Sequence, residues 1–325
     1  MLIYQYNNKN LSKLFKSLSD ETRLRIIRIF LRGTFHVNEI FYIVNGKQSN
    51  ISHHLKILLE SQLISYKKEG SIIYYTLNDI QNNNSLKMII NAIKQEEENI
   101  PHYHEDLKRL EAILQKRKEQ AESFFNSIGS EFDSLQEKLF KDIYQVKDII
   151  RLFKNKHKTI IDIGCGTGRN LPLLAKYSEK VIGFDSSPSM LQLSEHICYK
   201  NNINYELKLG DVQQLPFINE NIDGAFINMV LHHISDPLEA LKEISRILTQ
   251  KGKILLIELL SHQNESMRNK YADLWLGFSE NELIKWLKQA NFTIINKIIK
   301  EKAGDISNKK SNFKAIIILG EKNSM

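Results

Sequence analysis

The chain has 325 residues, about twice the length of a typical single domain, so its length predicts two domains. Hydrophobic residues make up 42% of it and charged residues 26%, and its apolar runs fall far short of the roughly 18 residues that span a bilayer. Two cysteines are too few for a disulfide framework, and the first ten residues lack a basic region followed by an apolar core. These features predict a cytoplasmic protein with no membrane partner.

The net charge is +7, and residues 1–80 carry +5 of it, which suits a surface that binds phosphates. Three helical patterns occupy this region. The stretch "LSKLFKSLSD" has apolar side chains at i, i+3, i+4 and i+7, and a second helix is predicted from a cap at Ser19 or Asp20 through "TRLRIIRIF". In the third, "KQSNISHHLKILLESQLI", Ile51, Leu55 and Leu58 repeat on one face.

The opposite face of this third helix carries short hydrogen-bonding side chains followed by a cation. Such side chains read base edges and hold phosphates. A hairpin pattern follows in "ISYKKEGSIIYYTL", whose basic turn would form a wing. The candidate DNA-contacting residues are Gln48, Ser49, Asn50, Ser52, His53 and Lys56 on the helix and Lys67 and Lys68 on the wing.

The order of these elements is that of a winged helix-turn-helix, and the match extends to the residues themselves. "LFKSLSDETRLRIIRIFLRG" and "QSNISHHLKILLESQLISYKKEGSIIYYTL" resemble the ArsR family of bacterial transcriptional regulators over about residues 10–80. The resemblance implies a homodimer that binds pseudo-palindromic operator DNA, with the helix from about Ser49 to Glu60 in the major groove. The alternative is a small helical module that only contacts other proteins.

Many members of that family sense metals through a Cys-x-Cys pair, and this chain differs from them. It has His36 and Asn38 in the corresponding places of "FHVNEI", so no soft-metal site is predicted. Downstream, "PHYHEDL" brings His102, His104 and Glu105 close together in sequence. Histidines two apart on a helix do not share a face, so solvated side chains are favoured over a metal site here as well.

Residues 81–123 differ in composition from the regions on either side. A polar break, "QNNNS", precedes the helical pattern "LKMIINAIKQEEENI", and Pro101 divides it from a second, highly charged helix. We interpret this segment as a connector that also contributes to dimerisation. The predicted domains are therefore residues 1–80, 81–123 and 124–325.

From Thr159 the pattern changes to apolar strands that alternate with helices, among them "TIIDIG", "KVIGFD", "IDGAFINM" and "KAIIILG". Such alternation predicts an α/β fold, with a mostly parallel sheet and helices on both faces. Ligands of these sheets bind at the carboxyl ends of the strands, near the first strand-to-helix turn. That turn is "DIGCGTGRN", a GxGxG loop whose glycines allow positive φ and a close ligand. The loop alone is compatible with a phosphate, a dinucleotide or no ligand.

Acidic residues after the next two strands narrow the choice of ligand. Asp185 ends the second strand, where a carboxylate can accept hydrogen bonds from ribose hydroxyls. "GDVQQLPF" follows the third strand, and there Asp211 could accept from an adenine amino group while Val212 packs on the ring.

As a set, "IIDIGCGTGRNLPLL", "VIGFDSSPSML" and "GDVQQLPF" resemble the class I S-adenosylmethionine-dependent methyltransferases of the UbiE-like kind, methyltransferase type 11, over about residues 120–320. The resemblance implies a Rossmann-like domain with a seven-stranded sheet that binds S-adenosylmethionine or S-adenosylhomocysteine. It assigns the amino acid part to Asp162, Gly164, Gly166 and Gly168, the ribose to Asp185, the adenine to Asp211, and the sulfonium to Asn228. The alternatives are an empty structural domain and an NAD site.

No acid–base pair is evident on the acceptor side of the predicted pocket. The candidate catalytic residues are His232, His233 and His262. Glu265, Arg268 and Trp275 are candidates for lining a second cavity that holds a small-molecule substrate, although Trp275 fits a core position equally well. Because the sulfonium is already activated, aligning the acceptor supplies much of the acceleration, and the lack of a base does not argue against catalysis.

Three functions are consistent with the sequence. The chain is a DNA-binding regulator that responds to the cofactor as effector, or a regulator with an active small-molecule methyltransferase domain. The third is a methyltransferase whose N-terminal domain only dimerises, and the polar face of the third helix argues against it.

Overall fold

The computed structural model describes residues 8–46, 48–69, 72–78, 84–154, 156–262, 264, 266–301 and 313–324. The chain divides into two compact units, Met1–Lys118 and Glu119–Met325. Among the described residues, no helix is long and apolar enough to cross a membrane.

The first unit combines helices with a small three-stranded sheet. Its elements are α1 (Asn8–Leu18), α2 (Glu21–Phe30), β1 (Phe35–His36), α3 (Val37–Val44), α4 (Gln48–Glu60), β2 (Ile64–Glu69), β3 (Ile72–Leu77), α5 (Asn84–Gln95) and the first part of α6 (Tyr103–Ile128). The strand order is β1–β3–β2, and both pairs are antiparallel. This is the winged helix-turn-helix that the sequence predicts.

Local sequence signals set the helix boundaries in this unit. Asp20 caps α2 by accepting the backbone N–H of Arg23 at 3.0 Å. The helix α3 ends at Asn45, which adopts the left-handed conformation with φ of 53°. These two caps define the start of α2 and the end of α3.

One apolar core connects α4 with α5 and the start of α6. Ile51, Leu55 and Leu58 of α4 are buried, and the core extends to Leu86 in α5 and Leu110 in α6. Burying one such side chain stabilises a fold by about 1.5–3 kcal/mol relative to leaving it exposed. The predicted face of α4 is therefore the buried one, and its polar face is left for solvent.

A buried ion-pair network fixes α6 on this core. Both oxygens of Asp106 accept hydrogen bonds from Arg25, at 2.8 and 2.7 Å, and one of them also accepts from Arg28 at 2.6 Å. Arg109 donates to the same carboxylate at 2.9 Å. The helices α5 and α6 lie on either side of Pro101, as predicted, and both pack on the core of the first unit.

The second unit is an α/β domain built on a seven-stranded sheet. Its strands are β4 (His157–Ile163), β5 (Ser178–Asp185), β6 (Tyr205–Leu209), β7 (Ile222–Asn228), β8 (Leu248–Leu259), β9 (Phe292–Glu301) and β10 (Lys314–Lys322). Its helices are α7 (Phe132–Phe140), α8 (Val146–Ile149), α9 (Leu171–Leu174), α10 (Pro188–Lys200), α11 (Pro237–Ile247), α12 (Ser266–Tyr271) and α13 (Glu280–Gln289).

The strand order is β6–β5–β4–β7–β8–β10–β9. The pairs from β6 to β8 are parallel, whereas β10 runs antiparallel to both of its neighbours. The strand order reverses between β4 and β7, and open α/β sheets bind ligands at the carboxyl ends of the strands at such a point. The α/β fold with a mostly parallel seven-stranded sheet is confirmed, and its glycine loop follows β4 at the reversal.

Candidate functional site

The glycine loop after β4 needs glycine for two separate reasons. Gly164, Gly166 and Gly168 have φ of 65°, 54° and 80°, a region that side-chain-bearing residues rarely adopt. A Cβ on Gly164 would also lie 2.6 Å from a methyl carbon of Val230, and a Cβ on Gly168 would lie 2.7 Å from Oγ of Ser194. The loop therefore packs directly against the segment after β7 and against α10.

Asp185, at the end of β5, holds this loop from the neighbouring strand. Its Oδ2 accepts the N–H of Gly166 at 2.8 Å, and its Oδ1 accepts the N–H of Ser187 at 2.9 Å. Burial raises the pKa of Asp185, and the hydrogen bonds from these N–H groups oppose that rise. The Asp185 carboxylate therefore fixes the position of the glycine loop relative to β5.

Asp162 lies in β4 just before the loop and is 1% exposed. Its Oδ2 has no hydrogen-bond partner among the described residues. Burial raises the pKa of Asp162 well above its ordinary value, the charge of Asp185 raises it further, and Arg169 opposes both. A buried acceptor without a donor is uncommon, and it is what a site that expects a ligand donor contains.

The other predicted cofactor residues lie on the strands that flank the loop. Asp211 is exposed after β6 and accepts the N–H of Gln213 at 2.9 Å, and Val212 beside it is partly buried. The backbone N–H of Gly210 donates to the Asp185 carbonyl at 3.1 Å, which keeps the ends of β5 and β6 together. Asn228 is buried at the end of β7. All of these residues therefore lie at the carboxyl edge of the sheet.

The segment before the sheet contributes contacts that the sequence analysis missed. Asp133 of α7 accepts the hydroxyl of Thr167 in the glycine loop at 2.8 Å. The hydroxyl of Tyr144 donates to Oδ1 of Asn228 at 3.0 Å, and burial raises the pKa of Tyr144. Neither residue belongs to a recognisable motif, so no local signal marks it.

Both cysteines of the chain are buried in this domain. Cys165, between the first two glycines, has its Sγ 3.6 Å from Oγ of Ser194. Burial raises the pKa of Cys165 well above its ordinary value, and burial raises the pKa of Cys198 to about 11. The thiolate is the reactive form, so neither side chain is a nucleophile or a ready metal ligand.

A second polar cluster surrounds His232, on the turn after β7. Nδ1 of His232 is 2.7 Å from Oε1 of Glu258 near the end of β8, and its Nε2 is 3.8 Å from Oδ1 of Asp273. All three residues are almost fully buried. Burial alone would lower the pKa of His232, but the charges of Glu258 and Asp273 raise it to about 9, so the ring is an imidazolium at neutral pH.

The two other candidate histidines are neutral at pH 7. Nδ1 of His233 is 3.2 Å from the carbonyl oxygen of Ala272 and therefore donates to it. Burial lowers the pKa of His233 well below its ordinary value, and the neighbouring His232 charge lowers it further. Burial likewise lowers the pKa of His262 to about 4, with His232 and Arg268 adding to the effect. Of the three predicted catalytic histidines, His232 is thus the charged one.

His232, His233 and Asp273 offer ligand atoms within 4.8 Å of one another. A cation nevertheless fits poorly, because the ring nitrogen of His233 nearest Asp273 donates its proton to the Ala272 carbonyl. The sequence analysis missed Glu258 and Asp273, since one reads as a strand residue in "LLIELL" and the other lies in "YADLWLG". Trp275 is buried and donates its indole N–H to the Ile234 carbonyl at 2.8 Å, while Glu265 lies outside the described residues.

The predicted DNA-contacting face lies on α4 and β2 of the first unit. Asn50, Ser52, His53 and Lys56 are exposed on α4, opposite its buried apolar face. Gln48 and Ser49 begin the same helix, but their side chains lie outside the described residues. On β2, Lys67 is partly buried and Lys68 is exposed. A helix face of short polar side chains and a basic strand are therefore both available to a phosphate backbone.

Two family models match the chain. Residues 161–256 match the model of a methyltransferase domain, and residues 20–66 match that of the bacterial regulatory proteins of the ArsR family. The chain is 31% identical over 191 residues to the demethylmenaquinone methyltransferase of Staphylococcus carnosus, a match that covers 54% of this chain and 78% of that protein. It is 36% identical over 74 residues to a Staphylococcus aureus homologue of the cadmium resistance regulatory protein CadC, covering 22% of this chain and 61% of that protein.

Other comparisons are less complete. The chain spans 30–58% of the length of three further curated relatives, to which it is 33–38% identical. A solved complex between the Haloferax volcanii Trm112 methyltransferase activator and a methyltransferase aligns with a TM-score of 0.51 at 18% identity, over 62% of this chain and 98% of that one. At this identity the alignment supports the fold and nothing further.

Proposed function

Because the chain belongs to the UbiE-like class I methyltransferases and carries an ArsR-family DNA-binding domain in front, we propose that it is a transcriptional regulator that binds S-adenosylmethionine or S-adenosylhomocysteine and methylates a small molecule. The regulator acts as a cytoplasmic homodimer on operator DNA, and occupancy of the cofactor site changes its affinity for that DNA. The observation that carries the proposal is the cradle formed by the glycine loop, Asp185 and the unpartnered oxygen of Asp162.

The residues of this cradle fit the chemistry of the cofactor. The cofactor carries an ammonium group and two ribose hydroxyls, all of which are hydrogen-bond donors. Asp162 offers a buried acceptor without a partner, and Asp185 ends β5 where a ribose would lie. The collisions that a Cβ would make at Gly164 and Gly168 show that glycine is needed to pack the loop on Val230 and Ser194. A loop without side chains also lets a ligand approach its backbone.

When bound, S-adenosylmethionine supplies a methyl group that is already activated by its positively charged sulfur. The remaining task of the protein is to align an acceptor with that methyl group and to exclude water. Asn228, at the end of β7, is held by the Tyr144 hydroxyl on the side of the loop where the sulfur is expected. Its fixed carbonyl oxygen suits a position beside a cation.

Calorimetry with each cofactor form tests the proposal. Wild-type protein should bind both, and Asp185→Ala should weaken binding at least tenfold, since it removes an acceptor and releases the Gly166 N–H. Asp148→Ala is a matched control, because this carboxylate is exposed and, in the part of the chain that the structure describes, its one ion pair is with Arg151 at 3.7 Å. Wild-type protein that binds neither form would contradict the proposal.

Operator binding is tested by a gel shift with and without cofactor. Affinity should fall with salt, as expected for a surface that contacts phosphates, and Lys56→Ala should make that dependence less steep. An operator affinity that never responds to cofactor would remove the regulatory coupling from the proposal. A protein that methylates a metabolite but shows no salt-dependent DNA binding would instead be a methyltransferase whose N-terminal domain only dimerises.

A further inference from the structure

The cluster around His232 contains a carboxylate that the fold does not use. Asp273 is 4% exposed, and neither of its carboxylate oxygens has a hydrogen-bond partner among the described residues. Two other carboxylates of the same domain are engaged: Asp223 accepts the N–H of Thr159 at 2.9 Å, and Asp236 caps α11. An unsatisfied buried polar group costs about 1–3 kcal/mol, so its retention points to a use outside the fold.

Asp273 lies on the same edge of the sheet as the glycine loop. The backbone N–H groups of Leu274 and Trp275 both donate to the carbonyl of His232 at 3.0 Å, which ties the Asp273 segment to the turn after β7. Two residues earlier on that turn, Val230 packs against Gly164 of the loop. The turn after β7 therefore contacts both the glycine loop and the segment that carries Asp273.

We propose that Asp273 is the catalytic residue that accepts the proton of a weakly acidic hydroxyl as that hydroxyl is methylated, with His232 and Glu258 as positioning residues. This inference rests on the proposed methyltransferase function. Glu258 holds the His232 ring through the 2.7 Å contact at Nδ1, and the ring turns its other nitrogen toward Asp273 at 3.8 Å. A substrate hydroxyl that reaches Asp273 would meet a proton acceptor and a cation together.

The charges that face Asp273 select the type of acceptor. They are His232 and His233 on the turn after β7, Glu258 on β8 and Arg268 on α12, with His262 facing His232. His232 is an imidazolium and Arg268 is a cation, so an oxyanion formed here is stabilised. A neutral amine develops no negative charge for these two cations to stabilise, which favours oxygen over nitrogen as the acceptor.

The acidity of Asp273 matches this role. Burial raises the pKa of Asp273 to about 7, and Glu258 adds to the rise while His232 and Arg268 oppose it. Proton transfer is efficient when the base titrates near the working pH. Such a base suits a phenolic or enolic hydroxyl, with a pKa near the value of about 10 for tyrosine. It does not suit a hydroxyl as weakly acidic as that of water, whose pKa is about 16.

The step balances without any further reagent. The O–H bond of the acceptor breaks, its proton passes to Oδ of Asp273, and its electron pair stays on the oxygen. That oxygen forms the new bond to the methyl carbon, and the electron pair of the old carbon–sulfur bond remains on the sulfur. Asp273 then releases the proton to solvent, so the protein is unchanged after each turnover.

The first test needs no activity. An infrared pH titration of the cofactor-free protein should contain a protonated carboxyl band that disappears between about pH 6 and 8. The band should be absent from Asp273→Asn and retained in the Asp148→Asn control, whose carboxylate is exposed. A wild-type titration without that band, or an unchanged band in Asp273→Asn, overturns the inference.

The second test uses labelled S-adenosylmethionine with a panel of simple phenols and primary amines. Transfer to phenols should fall by about 10²–10⁴ in kcat in Asp273→Asn, while the cofactor Kd measured by calorimetry changes less than twofold. His232→Gln should shift the pH profile of kcat/KM to higher pH, because it removes the positive charge that lowers the pKa of Asp273. Transfer to amines alone, or no transfer to any phenol, overturns the inference.

Two further measurements distinguish a failure of the proposed role of Asp273 from a failure of the proposed methyltransferase function, and from a metal site. A wild-type protein that binds no cofactor contradicts the proposed function, whereas one that binds cofactor and is unaffected by Asp273→Asn contradicts only the inference. Calorimetry with Zn²⁺ alone checks the metal alternative. Stoichiometric binding that His232→Gln abolishes would make the cluster a cation site and overturn the role of Asp273 as proton acceptor.

Discussion

Asp106 in the first unit and Asp273 in the second are both buried carboxylates, yet their surroundings are opposite. Asp106 accepts hydrogen bonds from Arg25, Arg28 and Arg109, so every oxygen is engaged. Asp273 has no hydrogen-bond partner in the described part of the chain. The same chemical group thus fixes a helix in one unit and is left available in the other.

The difference teaches how burial should be interpreted. A buried charge with a complete set of partners belongs to the architecture, since removing any partner leaves the others uncompensated. A buried carboxyl group without hydrogen-bond donors destabilises the fold, which points to a role in binding or catalysis. Asp162 below the glycine loop falls in the second group with Asp273.

The largest effect is expected from Asp106→Asn. The change leaves Arg25 and Arg28 buried without their counter-charge, so the first unit should lose about 3 kcal/mol or more of its free energy of unfolding. Urea unfolding followed by far-UV circular dichroism measures it. Both tryptophans, Trp275 and Trp286, belong to the second unit, so the fluorescence transition should not move. A variant as stable as wild type would show that the network is not structural.

A smaller effect is expected from pH, and it should appear in the second unit. His232 has a folded pKa of about 9, above its ordinary 6.5, so its stabilising contribution is complete below pH 6.5 and is lost as the pH rises through 9. The folded pKa of Asp273 is raised from 3.8 to about 7, so its destabilising effect accumulates between pH 3.8 and 7 and is complete above pH 7. Between pH 6.5 and 9 the loss therefore comes from His232 and amounts to up to about 3 kcal/mol.

Tryptophan fluorescence in urea at a series of pH values measures this loss. His232→Gln should flatten the dependence between pH 6.5 and 9, because the variant has no ring to deprotonate. The first unit, followed by far-UV circular dichroism in the same titration, provides the internal control, since its arginines keep their charge over this range. Equal slopes in wild type and variant would contradict the charged state of His232.

The glycine loop should show a coupled effect of about 1–3 kcal/mol. Gly164→Ala introduces a Cβ 2.6 Å from a Val230 methyl carbon at a φ of 65°. Val230→Ala removes the colliding atoms, so the double variant should be less destabilised than the sum of the single ones, with about 1 kcal/mol remaining for the backbone strain. If the changes in free energy of unfolding of the two single variants, measured by fluorescence, add up to that of the double variant, then the Cβ introduced at Gly164 does not contact Val230.

The smallest change in stability is expected from Asp162→Asn. Like Asp106→Asn, it replaces a buried aspartate with asparagine. It replaces a buried carboxyl group whose Oδ2 has no hydrogen-bond partner among the described residues, so the free energy of unfolding should change by less than about 1 kcal/mol or rise. Binding of S-adenosylmethionine should nevertheless weaken about tenfold or more, as measured by calorimetry. A large loss of stability in this variant would place Asp162 with Asp106 as an architectural residue.

The parts of the molecule that sequence predicts well are those encoded by neighbouring residues. The period of Ile51, Leu55 and Leu58 identified the buried face of α4, and alternating strands and helices identified the α/β sheet. The GxGxG spacing located the loop because its backbone requirements are local.

The parts that sequence did not reveal depend on contacts between distant positions. Glu258 and Asp273 lie 26 and 41 residues after His232, and only the sheet brings them together. Asp106 is 81 residues from Arg25, and nothing in "PHYHEDL" marks it as a buried anion. Side-chain pairings of this kind follow from the packed fold and have no spacing that a single sequence could expose.

The burial of both thiols makes the protein convenient for site-directed labelling. Because Cys165 and Cys198 are shielded and hard to ionise, a maleimide dye should react selectively with a cysteine introduced on the surface. Ser52 on α4 and Tyr199 on α10, which is 81% exposed, are suitable positions in the two units. Energy transfer between dyes at these positions would measure the distance between the two domains as cofactor is added. A change in that distance would report communication between them.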